Sequence, residues 1–226
     1  MQLVLLHALP LDASMWAPQA DLLPGATIAP TLYGLGDSIE EWARAVLDLT
    51  DGGPLVVVGS SVGGSCALEM AALAPDRVRA LVLVGAKAAH RPDPALRDAA
   101  VELLRRDGMD AAWRSCWEPL FSRSAAPAVV ASARAIAARQ SVEDVVRGVR
   151  AFHGRRNMDG FAARWPHPLV VVAGADDTAP SPTTASALAA SARRGEFHLV
   201  PDCGHYVGLE RPTVLEGIVR RALRDG

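Results

Sequence analysis

A serine, a pair of aspartates and a histidine, spread along the chain, are the residues whose types and surroundings suit acyl-transfer chemistry. Ser61 stands at the centre of Gly59-Ser60-Ser61-Val62-Gly63, directly after the apolar run Leu55 to Val58. Glycines around the central residue let a strand turn sharply into a helix without a steric clash. The register puts Ser61, not Ser60, at the apex. A serine there projects above the end of its strand, at a helix N-terminus whose amides and dipole favour negative charge. Its hydroxyl is a weak nucleophile and needs a base oriented by an acid. In a strand–turn–helix setting the expected chain order is serine, then acid, then histidine. "ADD" at 175–177 follows the apolar run 169–174, and "DCGH" at 202–205 follows the run 197–201. His205 is the expected base, and Asp176 and Asp177 compete for the acid. Each has a plainer reading as well: a turn serine, an aspartate capping the helix near 181, a loop histidine. His7, His90, His153, His167 and His198 are poorer candidates, His198 because it lies inside a predicted strand and His167 just before one. A tetrahedral oxyanion needs two donors. The amide of Val62 is one, and the loop after the early run 3–7 is the expected source of the other.

These residues need elements that hold them. Apolar, β-branched runs recur at 3–7, 26–30, 55–59, 80–85, 169–174 and 197–201. Most are near-continuous, which marks strands buried on both faces of a parallel sheet. Helical patterning follows the runs, so the chain reads as α/β. Start signals support the helices. Ser38 to Glu41 and Ser141 to Asp144 read as capping boxes, and Ser181-Pro182 opens another helix, expected to end at Arg193, Arg194 and Gly195. A last helix starts near Pro212 and uses Val214, Leu215, Ile218 and Val219.

Between 86 and 165 the rhythm breaks. Four helical segments are predicted there: 94–107, 110–120, 127–139 and 141–152. The expected organisation is therefore a core of residues 1–85 and 166–226 with a helical lid, 86–165, inserted as part of the same domain. Trp113, Cys116, Trp117, Leu120 and Phe121 fall on roughly one helical face. With Trp16 and Phe152 they are candidates to line an apolar substrate pocket; docking the lid onto the core is the competing use. His90, Arg91, His153, Arg155 and Arg156 cluster at the lid's hinges, where an arginine either binds a carboxylate or is simply solvated.

Composition narrows the function classes. The 226 residues carry a net charge of −2 and are 50% hydrophobic, in the range of an ordinary globular chain. No polybasic run points to nucleic acid, and no apolar run approaches a membrane span. Three cysteines without a C-x-x-C pattern suggest neither a disulfide framework nor a zinc site. Together with the lack of a basic leader, they imply reduced thiols in the cytoplasm. No metal or cofactor is expected, and the oligomeric state is expected to be a monomer or small homo-oligomer.

Taken jointly, the motifs resemble the α/β-hydrolase fold superfamily, in particular its serine esterase and enol-lactonase-like branch. "GSSVG" matches the nucleophile elbow, "GADD" the G-x-x-D run, and "GHYVGLERP" the G-H-x-x-x-x-E-x-P ending. "TLYGLGDS" resembles R-G-x-G-x-S with Tyr33 in place of arginine, and His7-Ala8-Leu9 stands where the family has H-G-x. The resemblance implies about six mostly parallel strands flanked by helices, Asp177 over Asp176 as the acid, and Leu9 as the second oxyanion donor with Val62. It implies a serine hydrolase of a small, largely apolar ester or lactone. Relatives that form an alkyl-enzyme use an aspartate at the elbow, which Ser61 excludes. The same triad also serves perhydrolysis, carbon–carbon bond hydrolysis, or biosynthetic acyl transfer and cyclisation. A ligand-binding protein on the same fold is the reading from another class.

Overall fold

The computed structural model describes residues 1–226. Six strands, β1 (Gln2–Leu6), β2 (Thr27–Ile28), β3 (Leu55–Ser60), β4 (Val78–Val84), β5 (Leu169–Gly174) and β6 (Gly195–Val200), form one sheet in the order β2-β1-β3-β4-β5-β6. Every pairing is parallel. All six runs expected from the sequence are strands. β3 and β5 are buried along their whole length, as continuous apolar runs require.

Helices α1 (Ile39–Asp48), α2 (Val62–Leu73), α7 (Pro182–Ser191) and α9 (Pro212–Asp225) flank the sheet, with the single turn α8 (Val207–Glu210) just before α9. Ser38, Ser141 and Ser181 each accept a hydrogen bond from the amide three residues on. The first capping box is not reciprocal: the Glu41 carboxylate reaches the Asp37 amide at 2.7 Å. α7 also stops earlier than expected, at Ser191, because Gly195 is recruited into β6 opposite Leu169.

Between β4 and β5 lie α3 (Pro94–Ala112), α4 (Pro127–Ala138), α5 (Val142–Gly154) and the short α6 (Phe161–Arg164). Gly108, at φ 79° and ψ 178°, breaks α3 where the sequence pattern places a boundary. On α5 the expected stripe is buried at Val145, Val146 and Val149.

The strand order positions a site. From β1 the chain steps to β2 on one side and to β3 and onward on the other. Open parallel sheets bind ligands where the order reverses, beyond the C-terminal ends of those strands. That crevice lies between the end of β1, with its loop from His7, and the end of β3, which delivers Ser61.

Candidate active site

Ser61 links β3 to α2 with φ 53° and ψ −115°, a left-handed conformation that L-residues avoid. Such a residue costs on the order of 1–3 kcal/mol, held by its surroundings. Here the Ser61 amide donates to the Val84 carbonyl at 2.9 Å, and the amides of Gly64 and Ser65 return to the Ser61 carbonyl. α2 sits directly on the end of β1: a Cβ at Gly63 would lie 2.3 Å from the Leu6 carbonyl oxygen. Only glycine permits that approach, which sets the elbow beside the His7–Leu9 loop. Ser60 is buried, its hydroxyl unpartnered. Val62 is the first residue of α2, so its amide belongs to the helix's free N-terminal donors.

Asp177 follows β5 and is 3% exposed. Its Oδ2 and Oδ1 lie 2.9 and 3.1 Å from His205 Nδ1. A carboxylate only accepts, so Nδ1 carries the proton and Nε2 presents a lone pair. Asp176 faces elsewhere, accepting from the Ser122 hydroxyl at 2.6 Å. Gly85 (φ 56°) connects the pair to the elbow. It follows Val84, the partner of the Ser61 amide, and a Cβ on it would sit 2.8 Å from His205 Nδ1 and 3.2 Å from Asp177 Oδ2. Ser61 Oγ and His205 Nε2 are not hydrogen-bonded in this conformation; such contacts commonly tighten only with substrate bound.

The loop carrying His205 is fastened from both sides. Its amide donates to the Leu120 carbonyl at 2.8 Å. The buried Glu210 carboxylate accepts from the amides of Gly204 and Ser122, each at 3.1 Å. Burial raises the Glu210 pKa, and these amide bonds pull it back. The Tyr206 hydroxyl donates to the Leu9 carbonyl at 3.0 Å, tying the histidine loop to the loop after β1. In that loop the Leu9 amide has no acceptor within the protein.

His7 shapes the same loop from beneath. Its Nε2 accepts from the Leu32 amide at 2.9 Å, which leaves Nδ1–H to donate to the Ala8 carbonyl at 3.1 Å. Burial pushes its pKa down to about 4, against the opposing pull of the Ala8 carbonyl and Asp12. The pH dependence follows in sign. Above pH 6.5 both folded and unfolded chains hold a neutral His7. Below it the unfolded chain takes up a proton that the folded one refuses until about pH 4. Folding should therefore lose about 3 kcal/mol across that window from this group. Urea unfolding of wild type and His7→Gln from pH 7.5 to 4.5 checks it. The wild type should show the steeper loss on acidification, and equal slopes would exclude His7 as the cause.

A model described as "Alpha/beta hydrolase family" matches residues 3–217. The chain belongs to the alpha/beta hydrolase family. Among curated proteins, this hydrolase is 25% identical to a 2-hydroxymuconate semialdehyde hydrolase from a Pseudomonas species, over 96% of this chain and 84% of that one. Among solved structures, a malate-bound thermophilic esterase from Thermogutta terrifontis superposes with a TM-score of 0.90 at 26% identity, over 99% of this chain and 89% of its own. The enol-lactonase from Burkholderia xenovorans shares the fold, with a TM-score of 0.85 at 23% identity over 99% and 91% of the two chains.

Beside Ser61 the hydrolase has a cavity of about 20 Å³, lined by Ser61, Gly85, Phe152, Arg155 and Pro180 among others. That is room for about one water. Of the aromatic residues expected to line a pocket, only Phe152 reaches it. Trp16 is buried under α8 and α9, with a ring atom 3.3 Å from where a Gly208 Cβ would be. Trp113 packs on Phe121, whose ring stacks on Tyr206 at 4.6 Å. Trp117 is likewise buried in the core cluster. Trp113 and Phe121 thus pack the helical segment onto the histidine loop at Tyr206. Tyr206, Glu210 and Ser122 support the site without having been singled out. Only Glu210 left a signal, as the E of the ending motif.

Proposed function

We propose that this hydrolase cleaves a carboxylic ester or lactone of a small substrate through an acyl-enzyme on Ser61. Ser61 Oγ attacks the carbonyl carbon while His205 Nε2 takes its proton. Asp177 holds the tautomer with Nδ1 protonated and stabilises the imidazolium. The amides of Leu9 and Val62 receive the oxyanion. His205 then protonates the leaving oxygen and next activates the water that releases the acid. The segment 86–165 acts as a lid: it presses Phe152 over Ser61 and must move to admit any substrate larger than water. The observation that carries this reading is the buried Asp177–His205 pair meeting, across Gly85, a serine held at φ 53°.

The curated relative at 25% identity favours carbon–carbon bond hydrolysis as the second reading, run by the same residues. A site in the cytoplasm, as a monomer or small homo-oligomer, fits three unpaired cysteines and the lack of any helix long and apolar enough to cross a membrane. The test is a fluorophosphonate probe with peptide mapping, alongside hydrolysis of p-nitrophenyl acetate and butyrate. One adduct, on Ser61, with matching loss of hydrolysis is the expected result. Labelling without ester turnover would move the reading to carbon–carbon substrates. Neither labelling nor turnover would sink it.

A further inference from the structure

Arg155 is a cation without a counter-ion inside the Ser61 cavity. It follows the last turn of α5 and is 6% exposed. One guanidinium nitrogen, Nη1, donates to the Phe152 carbonyl, a free acceptor at the helix end. The guanidinium carbon lies 3.8 Å from the centre of the Phe152 ring. Nε and Nη2 have no acceptor in the protein, and no carboxylate pairs with this residue. The nearby Glu69 is bound by both Nε and Nη2 of Arg156. The remaining titratable neighbours are basic: exposed Lys87, and His90 and His153, whose pKa values Arg155 helps to lower. Burial alone brings Arg155 down to about 10. A buried guanidinium left unpaired is costly, and proteins otherwise supply it with an anion.

We infer that Arg155 binds a carboxylate of the substrate, so that the preferred substrates are esters or lactones that carry a free acid close to the scissile carbonyl. Ser61 and Arg155 wall the same small cavity, so an acid held by one places its neighbouring carbonyl at the other. The guanidinium sits over the Phe152 ring, and its unpartnered Nε and Nη2 lie side by side on one edge of the fork. That edge matches a planar carboxylate. This deepens the ester or lactone reading and rests on Ser61 being the nucleophile.

The test compares mono-p-nitrophenyl glutarate, an anionic ester, with p-nitrophenyl butyrate, using wild type, Arg155→Lys and Arg155→Met. Wild type should favour the anionic ester at least tenfold in kcat/KM. That ratio should fall at least tenfold in Arg155→Met and by less in Arg155→Lys. Glutarate itself should inhibit competitively and raise the Tm of wild type but not of Arg155→Met, a readout that needs no turnover. Equal rates on the two esters in wild type would overturn the inference while leaving the esterase reading intact. Equal loss on both esters in Arg155→Met would make the residue purely structural. Stabilisation by inorganic phosphate as strong as by glutarate would overturn the carboxylate assignment. Were neither ester cleaved and Ser61 unlabelled, the ester reading itself would fail, and the glutarate shift alone would decide on Arg155.

Discussion

Ser61→Ala should lower kcat on p-nitrophenyl butyrate by roughly 10⁵–10⁶-fold, the scale on which serine hydrolases lose rate with their nucleophile. The fold should survive. The Ser61 hydroxyl makes no hydrogen bond to the rest of the protein, so its removal leaves no partner stranded. Alanine keeps a Cβ and with it the strain of φ 53°. Its Tm should therefore stay within about 2 °C of wild type. Ser61→Gly separates strain from chemistry. It relieves about 1–3 kcal/mol of backbone strain and gives back about 1 kcal/mol in unfolded-chain freedom. The net gain is about 0–2 kcal/mol, so glycine should be equally inactive and more stable than alanine, by up to about 8 °C. Kinetics and thermal unfolding of the three proteins check both halves. A glycine variant less stable than alanine would mean that the elbow is not strained. A Ser61→Ala protein that keeps even a tenth of the wild-type rate would remove Ser61 from the chemistry.

The strands and the elbow were legible because both are written locally. A strand buried on two faces must be apolar at every position, so Leu55 to Val58 and Leu169 to Val172 announce themselves. The elbow needs its glycines within two residues of the serine, and a strand that ends there fixes where the side chain goes. Even the break at Gly108 followed from local pattern, since the helical periodicity restarts after it.

What the residues alone, without the family motif, left open depends on partners distant in sequence. Asp176 and Asp177 are neighbours with the same composition around them. They differ because Ser122, 54 residues away, holds one and His205, 28 residues away, meets the other. The aromatic face at 113–121 was visible as apolar, but periodicity does not say which surface it covers. It covers Tyr206, not the cavity at Ser61. Arg155 sits in His153-Gly154-Arg155-Arg156, a stretch that reads as solvated. Only the closure of Phe152 and the loop after β4 over it makes one of the two arginines a buried cation while its neighbour stays outside, paired with Glu69. Burial of a charge is a property of the assembled fold, which no local stretch of sequence carries.

The adjacent aspartates give the sharpest test of the proposed machinery. Asp177→Asn should lower kcat at neutral pH by about 10⁴-fold. The substitution keeps the shape, so His205 stays in place, but an amide NH₂ turned to Nδ1 asks that nitrogen to accept. The proton then resides on Nε2, which can no longer take one from Ser61. The imidazolium formed during attack also loses the negative charge that stabilises it. Asp176→Asn should change kcat by less than about threefold. Its amide oxygen can still accept from the Ser122 hydroxyl, and the lost charge-assisted bond is worth about 1.5–3 kcal/mol at most, read as a lower Tm and not as a slower reaction. Steady-state kinetics and melting curves on the two variants distinguish a residue that sets a tautomer from one that fastens a loop. Comparable rate losses in both would show that the 174–177 turn acts as one structural unit, and the assignment of Asp177 as the orienting acid would have to be withdrawn.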